Sequence, residues 1–184
     1  MKTRNRIIIG LVVIGIILYG VVNYWIVPQQ NVRADKYLEE QKEPTTHDIK
    51  SILKFKNKYM GNAGNLINLF NHLPLSNVGT TFQLYSDDLA LEVNYKETVW
   101  NIGEVKVNQS LIYNSTAAFA LIDNLQAIIY NFPGTSYKVK RTDVEKLYSN
   151  FGEILKEDHW NKEVQNKLND SEFVTSAEKV LVKQ

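Results

Sequence analysis

The chain has 184 residues, with 21 Lys+Arg against 20 Asp+Glu and no cysteine. That length supports about one domain, and a near-neutral charge excludes the strongly basic surface of a nucleic-acid binder. The missing thiol excludes disulfides, thiolate-ligated zinc, cysteine catalysis and a lipid anchor on an N-terminal cysteine.

Residues Ile7 to Val27 read IIIGLVVIGIILYGVVNYWIV, with no charged side chain. At about 1.5 Å per residue a helix of this length matches the hydrocarbon core of a bilayer. Its Ile, Leu and Val side chains each favour insertion by roughly 0.3–0.6 kcal/mol. Tyr24 and Trp25 suit an interfacial aromatic belt, and Pro28, lacking an N–H, is expected to end the helix. Lys2, Arg4 and Arg6 precede the span with no acid among them, which puts the N-terminus in the cytoplasm and the remainder outside. The competing reading is a cleaved signal peptide, for which Val32-Arg33-Ala34 offers a small-x-small site. The glycines recur every fifth residue, so they do not form a GxxxG pairing face.

Residues 28–46 read as a polar linker with a short helix over Ala34–Lys42. His47–Leu53 opens a helix that Asp48 can cap, and Lys54 to Tyr59 then reads as extended. A turn at Met60–Asn65 leads into a helix over Ala63–His72 that Pro74 closes. Thr80–Ser86 and Leu89–Lys96 alternate as an antiparallel hairpin across Asp87-Asp88. Thr98–Val107 suggests a further strand pair around Gly103, followed by a buried helix over Ser110–Asn124. Gln126–Phe132 is a strand, Pro133-Gly134 turns the chain, and Tyr137–Lys140 is its antiparallel partner. Thr142-x-x-Glu145 is a capping-box pattern that opens a helix to about Asn150. Beyond it, Trp160, Val164 and Leu168, then Phe173, Ala177 and Leu181, recur every four residues as two helical faces.

The fold class that follows is α+β: an N-terminal transmembrane helix, a small, mainly antiparallel sheet packed by helices, and a helical C-terminal tail. The expected organisation is a cytoplasmic flank at 1–6, the membrane helix at 7–27, the linker at 28–46, an extracytoplasmic domain at 47–150 and a helical extension at 151–184.

Several segments resemble a known family. They are Tyr59-Met60-Gly61-Asn62 with Leu66–Leu75, then Leu91–Tyr95, Ala118–Asn124 and Ile128–Phe132. The family is an uncharacterised extracytoplasmic domain of unknown function on membrane proteins of Gram-positive bacteria, and the resemblance covers about residues 49–150. It implies a compact α+β domain behind an anchor and supplies no reaction, cofactor or catalytic residue. Family members commonly carry Asp where this chain has Asn62.

The chemistry that can be sought from sequence is sparse. His47, His72 and His159 show no metal-ligand spacing. Glu157-Asp158-His159 places neighbouring side chains about 100° apart on a helix, which is a poor chelate. Neither GxSxG nor SxxK occurs. Asp87, Asp88 and Glu92 are explained by a hairpin turn. One local feature points to a ligand: Gly61, Asn62, Gly64 and Asn65 open a helix whose free N–H groups can hold an anion, with Lys54, Lys56 and Lys58 upstream. The plainer reading is that the glycines supply positive φ at a turn and the lysines protect an edge strand.

These observations lead us to expect a non-enzymatic, single-pass membrane protein without a cofactor, whose outer domain binds or senses something at the cell surface. With only six residues before the span, signalling would pass through another envelope protein. One alternative is an assembly partner of an envelope complex that engages through the C-terminal helices. Another is an envelope hydrolase whose site forms only in three dimensions.

Overall fold

The computed structural model describes residues 2–184; Met1, the first residue of the expected basic flank, lies outside them. The chain divides into two compact units, the first ending at Glu39 and the second running from Glu40 to Gln184.

The first unit is helical. A helix of 39 residues, Lys2–Glu40, is long and apolar enough to cross a membrane, with a mean hydropathy of 2.5 in its most apolar window and none of that window buried. It comprises α1 (Lys2–Val21), a π-helical stretch (Val22–Ile26) and α2 (Val27–Glu40). Pro28 therefore does not end the helix, contrary to the sequence expectation. A proline inside a helix removes one hydrogen bond and crowds the preceding turn. The widened turn just before it, in which the Val27 N–H reaches the Val22 carbonyl, relieves that crowding. The stretch 28–40 is accordingly helical, and the short helix expected at Ala34–Lys42 is the end of a much longer one.

The second unit is α+β. Its sheet has five strands in the order β1 (Thr80–Tyr85), β2 (Ala90–Tyr95), β3 (Ala127–Phe132), β4 (Thr135–Lys140) and β5 (Val182–Lys183). Three of the four pairings are antiparallel, and only β2 with β3 is parallel. Both hairpins form where the alternation places them. In the second, Gly134 takes φ +88°, as a two-residue Pro-Gly turn requires. Period-2 alternation aligns Leu84, Leu91, Ile128 and Val139 in one row and Phe82, Val93, Tyr130 and Tyr137 in the next. Both rows face the core.

Parallel strands need a long crossover, and here it is helical. Thr98–Val107, expected as a strand pair, instead forms α4 (Val99–Ile102) and the first turn of α5 (Glu104–Leu121). The Thr98 side chain accepts the Asn101 N–H and caps α4, which favours helix over strand at this point. Between the two helices Gly103 sits at φ +100°. A Cβ there would meet no atom within 4 Å, so the demand for glycine is purely conformational. Gly103→Ala is expected to cost about 1–3 kcal/mol, readable as a lower melting temperature with no change of fold.

Helix α5 packs on the apolar face of the sheet and is buried nearly all round. Two of its hydroxyls find partners there: Ser115 lies 3.0 Å from the Tyr130 hydroxyl and Thr116 3.0 Å from that of Tyr148. Thr142-x-x-Glu145 does not act as a capping box. The helix α6 (Arg141–Glu145) starts one residue before Thr142, so its N-cap is Lys140 and it has no side-chain cap; the Glu145 carboxylate pairs with Arg141 at 3.2 Å instead. Residues 151–184 add α7 (Glu157–Trp160), a π turn (Asn161–Gln165), α8 (Asn166–Leu168), α9 (Ser171–Ala177) and β5. Trp160, Val164, Leu168, Val174, Ala177 and Leu181 from this stretch all enter the same core. The first helical face read from the sequence is present; in the second, Val174 is buried where Phe173 is only partly so, and Leu181 lies beyond the helical turns. What the sequence did not show is that the segment closes the sheet with a final strand.

Candidate functional site

The residues read as an anion site are only partly brought together. The Asn62 side chain accepts the Asn65 N–H at 3.3 Å, so the start of α3 (Ala63–Phe70) is capped from within the chain. Asn65 in turn donates to the Phe55 carbonyl at 2.6 Å, tying this turn to the lysine segment. Gly61 and Gly64 are exposed, and neither takes a positive φ, which corrects the conformational reading of these glycines.

The lysines lie on no edge strand. Residues Ile49–Phe55 form a 3₁₀ helix capped by Asp48, where extended chain was expected from Lys54 onward. Asn57 then makes a single parallel bridge with Ile122. The three lysines consequently diverge in role. The Lys54 ammonium lies 5.0 Å from the centre of the Phe55 ring. The Lys58 carbonyl accepts the Asn124 N–H. Lys56 lines a cleft away from the glycine turn.

That cleft has a volume of about 460 Å³. Its walls come from the bridge around Asn57, the end of α5, the start of α6 and the segment Phe151–Leu155. Phe119, Phe151 and Leu155 supply apolar surface, while Lys56, Asp123, Arg141 and Glu145 supply charge. Arg141 is fully engaged. Its Nε donates to the Leu125 carbonyl at 2.7 Å and its Nη2 to the Ile122 carbonyl at 2.5 Å. Its third nitrogen pairs with Glu145, and the guanidinium stacks on Phe119 at 5.3 Å. These bonds fasten the start of α6 to the loop that follows α5. A cavity of about 340 Å³ adjoins the cleft and shares Lys56, Gly152 and Leu155 with it, adding Leu53 and the ion pair Glu153–Lys156. Sequence reasoning singled out Lys56 but missed Asp123 and Arg141. The available signal for Asp123 was a charged residue directly after the buried pair Leu121-Ile122.

A second polar cluster is closed to solvent. His47 is buried, with Nε2 2.7 Å from the His72 carbonyl and Nδ1 2.8 Å from the Tyr113 hydroxyl. A carbonyl only accepts, so Nε2 carries the proton and Nδ1 accepts from Tyr113. The Gln165 amide donates to the His47 carbonyl at 2.7 Å, which joins the tail to this cluster. Desolvation holds the imidazole below its usual range. The His72 carbonyl and the Asp48 charge oppose that shift, and the His72 charge adds to it. The hydroxyls of Tyr113 and Tyr130 are raised by burial. This cluster is a structural polar core with no opening for a substrate.

No three His, Asp or Glu side chains among the described residues come together to hold a metal ion. Trp160 is fully buried, whereas Trp100 is 89% exposed. No curated protein and no solved structure matches the chain. The matched family segment runs from within the 3₁₀ helix to the first turn of α6 and so takes in Lys56, Phe119, Asp123 and Arg141 of the cleft: a domain of unknown function, DUF4825, is found at residues 52–142.

Proposed function

We propose that the chain is a single-pass membrane protein of a Gram-positive cell envelope, with its N-terminus in the cytoplasm and residues 40–184 outside as a binding or sensing domain. The observation that carries this reading is the apolar helix Lys2–Glu40, unburied along its apolar stretch, preceding a unit with its own continuous core. The basic flank Lys2, Arg4 and Arg6 supports the orientation. The cleft at Lys56 is the concave, part-apolar, part-charged surface that a ligand site requires. The domain acts on a ligand or another envelope protein rather than by chemistry of its own.

The same cleft gives a hydrolase reading its one foothold, since Asp123 and Glu145 are two carboxylates in a concave site. Binding is the better account. Glu145 is held by Arg141, and no serine, threonine or histidine lines the cleft.

Protease treatment of intact cells tests the topology. The full-length chain is expected in the membrane fraction and is expected to lose its outer domain to the protease. Recovery of the full-length chain from the cytosol, or a protected domain, overturns the proposal. A released chain beginning after Ala34 would instead establish the signal-peptide alternative.

A further inference from the structure

Two of the four charges in the cleft have no partner. Arg141 and Glu145 neutralise each other, and every guanidinium nitrogen of Arg141 is bonded within the protein. Lys56 and Asp123 line the same cleft, yet neither side chain makes a hydrogen bond or an ion pair among the described residues. Both are exposed. Their backbones are fixed by the parallel bridge between them: the Asn57 N–H donates to the Leu121 carbonyl at 2.9 Å, and the Asp123 N–H donates to the Asn57 carbonyl at 3.0 Å. An ammonium and a carboxylate held on a rigid bridge in one concavity, but not in contact, leave a gap that a molecule carrying both opposite charges can span. Beside that gap lie Phe119, Phe151 and Leu155.

We propose that this cleft binds a zwitterion with an apolar side chain: a free α-amino acid, or a short peptide whose two termini supply the opposite charges. The ligand carboxylate pairs with the Lys56 ammonium, the ligand ammonium with the Asp123 carboxylate, and the apolar side chain lies against Phe119, Phe151 and Leu155. Specificity comes from the requirement for both charges at once. A simple anion meets Lys56 alone and has Asp123 and Glu145 against it. The volume of about 460 Å³ accommodates a large side chain with its backbone. This inference rests on the binding-domain reading above and names the ligand class of its site.

Calorimetric titration of the full-length chain in detergent micelles tests it. The probes are L-phenylalanine, the dipeptide glycyl-L-phenylalanine and the uncharged N-acetyl-L-phenylalaninamide. One or both zwitterions are expected to bind saturably, and the uncharged analogue is not. If only the free amino acid binds, the ligand is a small molecule; if the dipeptide binds more tightly, it is a short peptide with both termini free. Lys56→Gln and Asp123→Asn are each expected to weaken binding by roughly tenfold or more with unchanged melting temperature, and Lys54→Gln is expected to leave it intact. Failure of both zwitterions to bind, equal binding of the uncharged analogue, or binding that survives Lys56→Gln and Asp123→Asn overturns the proposal. None of these results bears on topology, which the protease experiment decides separately.

Discussion

Ending the chain at Asn150 is expected to unfold the second unit, although the DUF4825 match itself stops at residue 142. The reason is packing. Trp160 is fully buried and meets Tyr113 edge-on, with ring centres 5.1 Å apart. Val164, Leu168, Ala177 and Leu181 fill the same core. Polar links run the same way: Asn108 donates to Glu178 at 2.7 Å, Gln109 donates to the Leu168 carbonyl at 2.7 Å, and β5 covers the edge of β4. Trp160→Ala alone is expected to cost about 3–5 kcal/mol, against a total stability of roughly 5–15 kcal/mol for a domain. Thermal melts followed by circular dichroism of the full-length chain, the Trp160→Ala variant and the truncated chain measure this. A cooperative transition near the parent temperature in the truncated chain would show the tail to be an accessory. The result also bears on the assembly alternative, because loss of a partner on truncation would report unfolding. Substitutions on the exposed side of α9 and of the 3₁₀ turn after it, such as Glu172→Lys or Lys179→Glu, are the proper probe of a partner surface there.

Acidification is expected to weaken the second unit through His47. The ordinary imidazole value is 6.5, and burial of His47 lowers it in the folded state. A depressed value means that between the two pKa values the unfolded chain binds the proton and the folded chain does not. Stability from this group is therefore complete above about pH 6.5 and falls as the pH drops toward the folded value. Each tenfold loss of proton affinity corresponds to about 1.4 kcal/mol. Protonation also breaks a specific bond, since Nδ1 accepts from Tyr113 and Nε2–H already faces the His72 carbonyl. The expected result is a melting temperature that declines from pH 7.5 to pH 5.5, and a His47→Gln variant with lower stability at pH 7.5 but a flatter profile. Glu153 and Glu163, both held below the carboxylate range chiefly by hydrogen bonds from lysines, lose their contribution only below about pH 4.5 and do not obscure this window. An unchanged slope in His47→Gln would assign the acid sensitivity to another group.

The legible parts of this fold were those governed by neighbours in sequence. The hairpin alternation of Thr80–Tyr85 with Ala90–Tyr95 and the Pro133-Gly134 turn act over a few residues, and they appear where the pattern put them. Thr98–Val107 was misread because Trp100, Ile102, Val105 and Val107 suit a strand by composition, while the Thr98 cap and the pivot at Gly103 decide for helix. The early turns of α5 were missed because their polar side chains look exposed until Lys106 finds Glu43 and Asn108 finds Glu178. The cleft was half legible for the same reason. Lys56 stood out in a lysine run, whereas Asp123 reaches it only through the bridge between Asn57 and Ile122.

The widened turn ahead of Pro28 has a mechanical consequence. A helix that continues for 39 residues rises about 58 Å, roughly twice the thickness of a lipid hydrocarbon core. Residues 28–40 are therefore helical rather than extended chain. Each residue of a helix advances the azimuth by about 100°. Excising two residues from α2 would turn the helical side chains beyond the cut to nearly the opposite compass bearing, while excising about one full turn would shorten the rod and leave their heading almost unaltered.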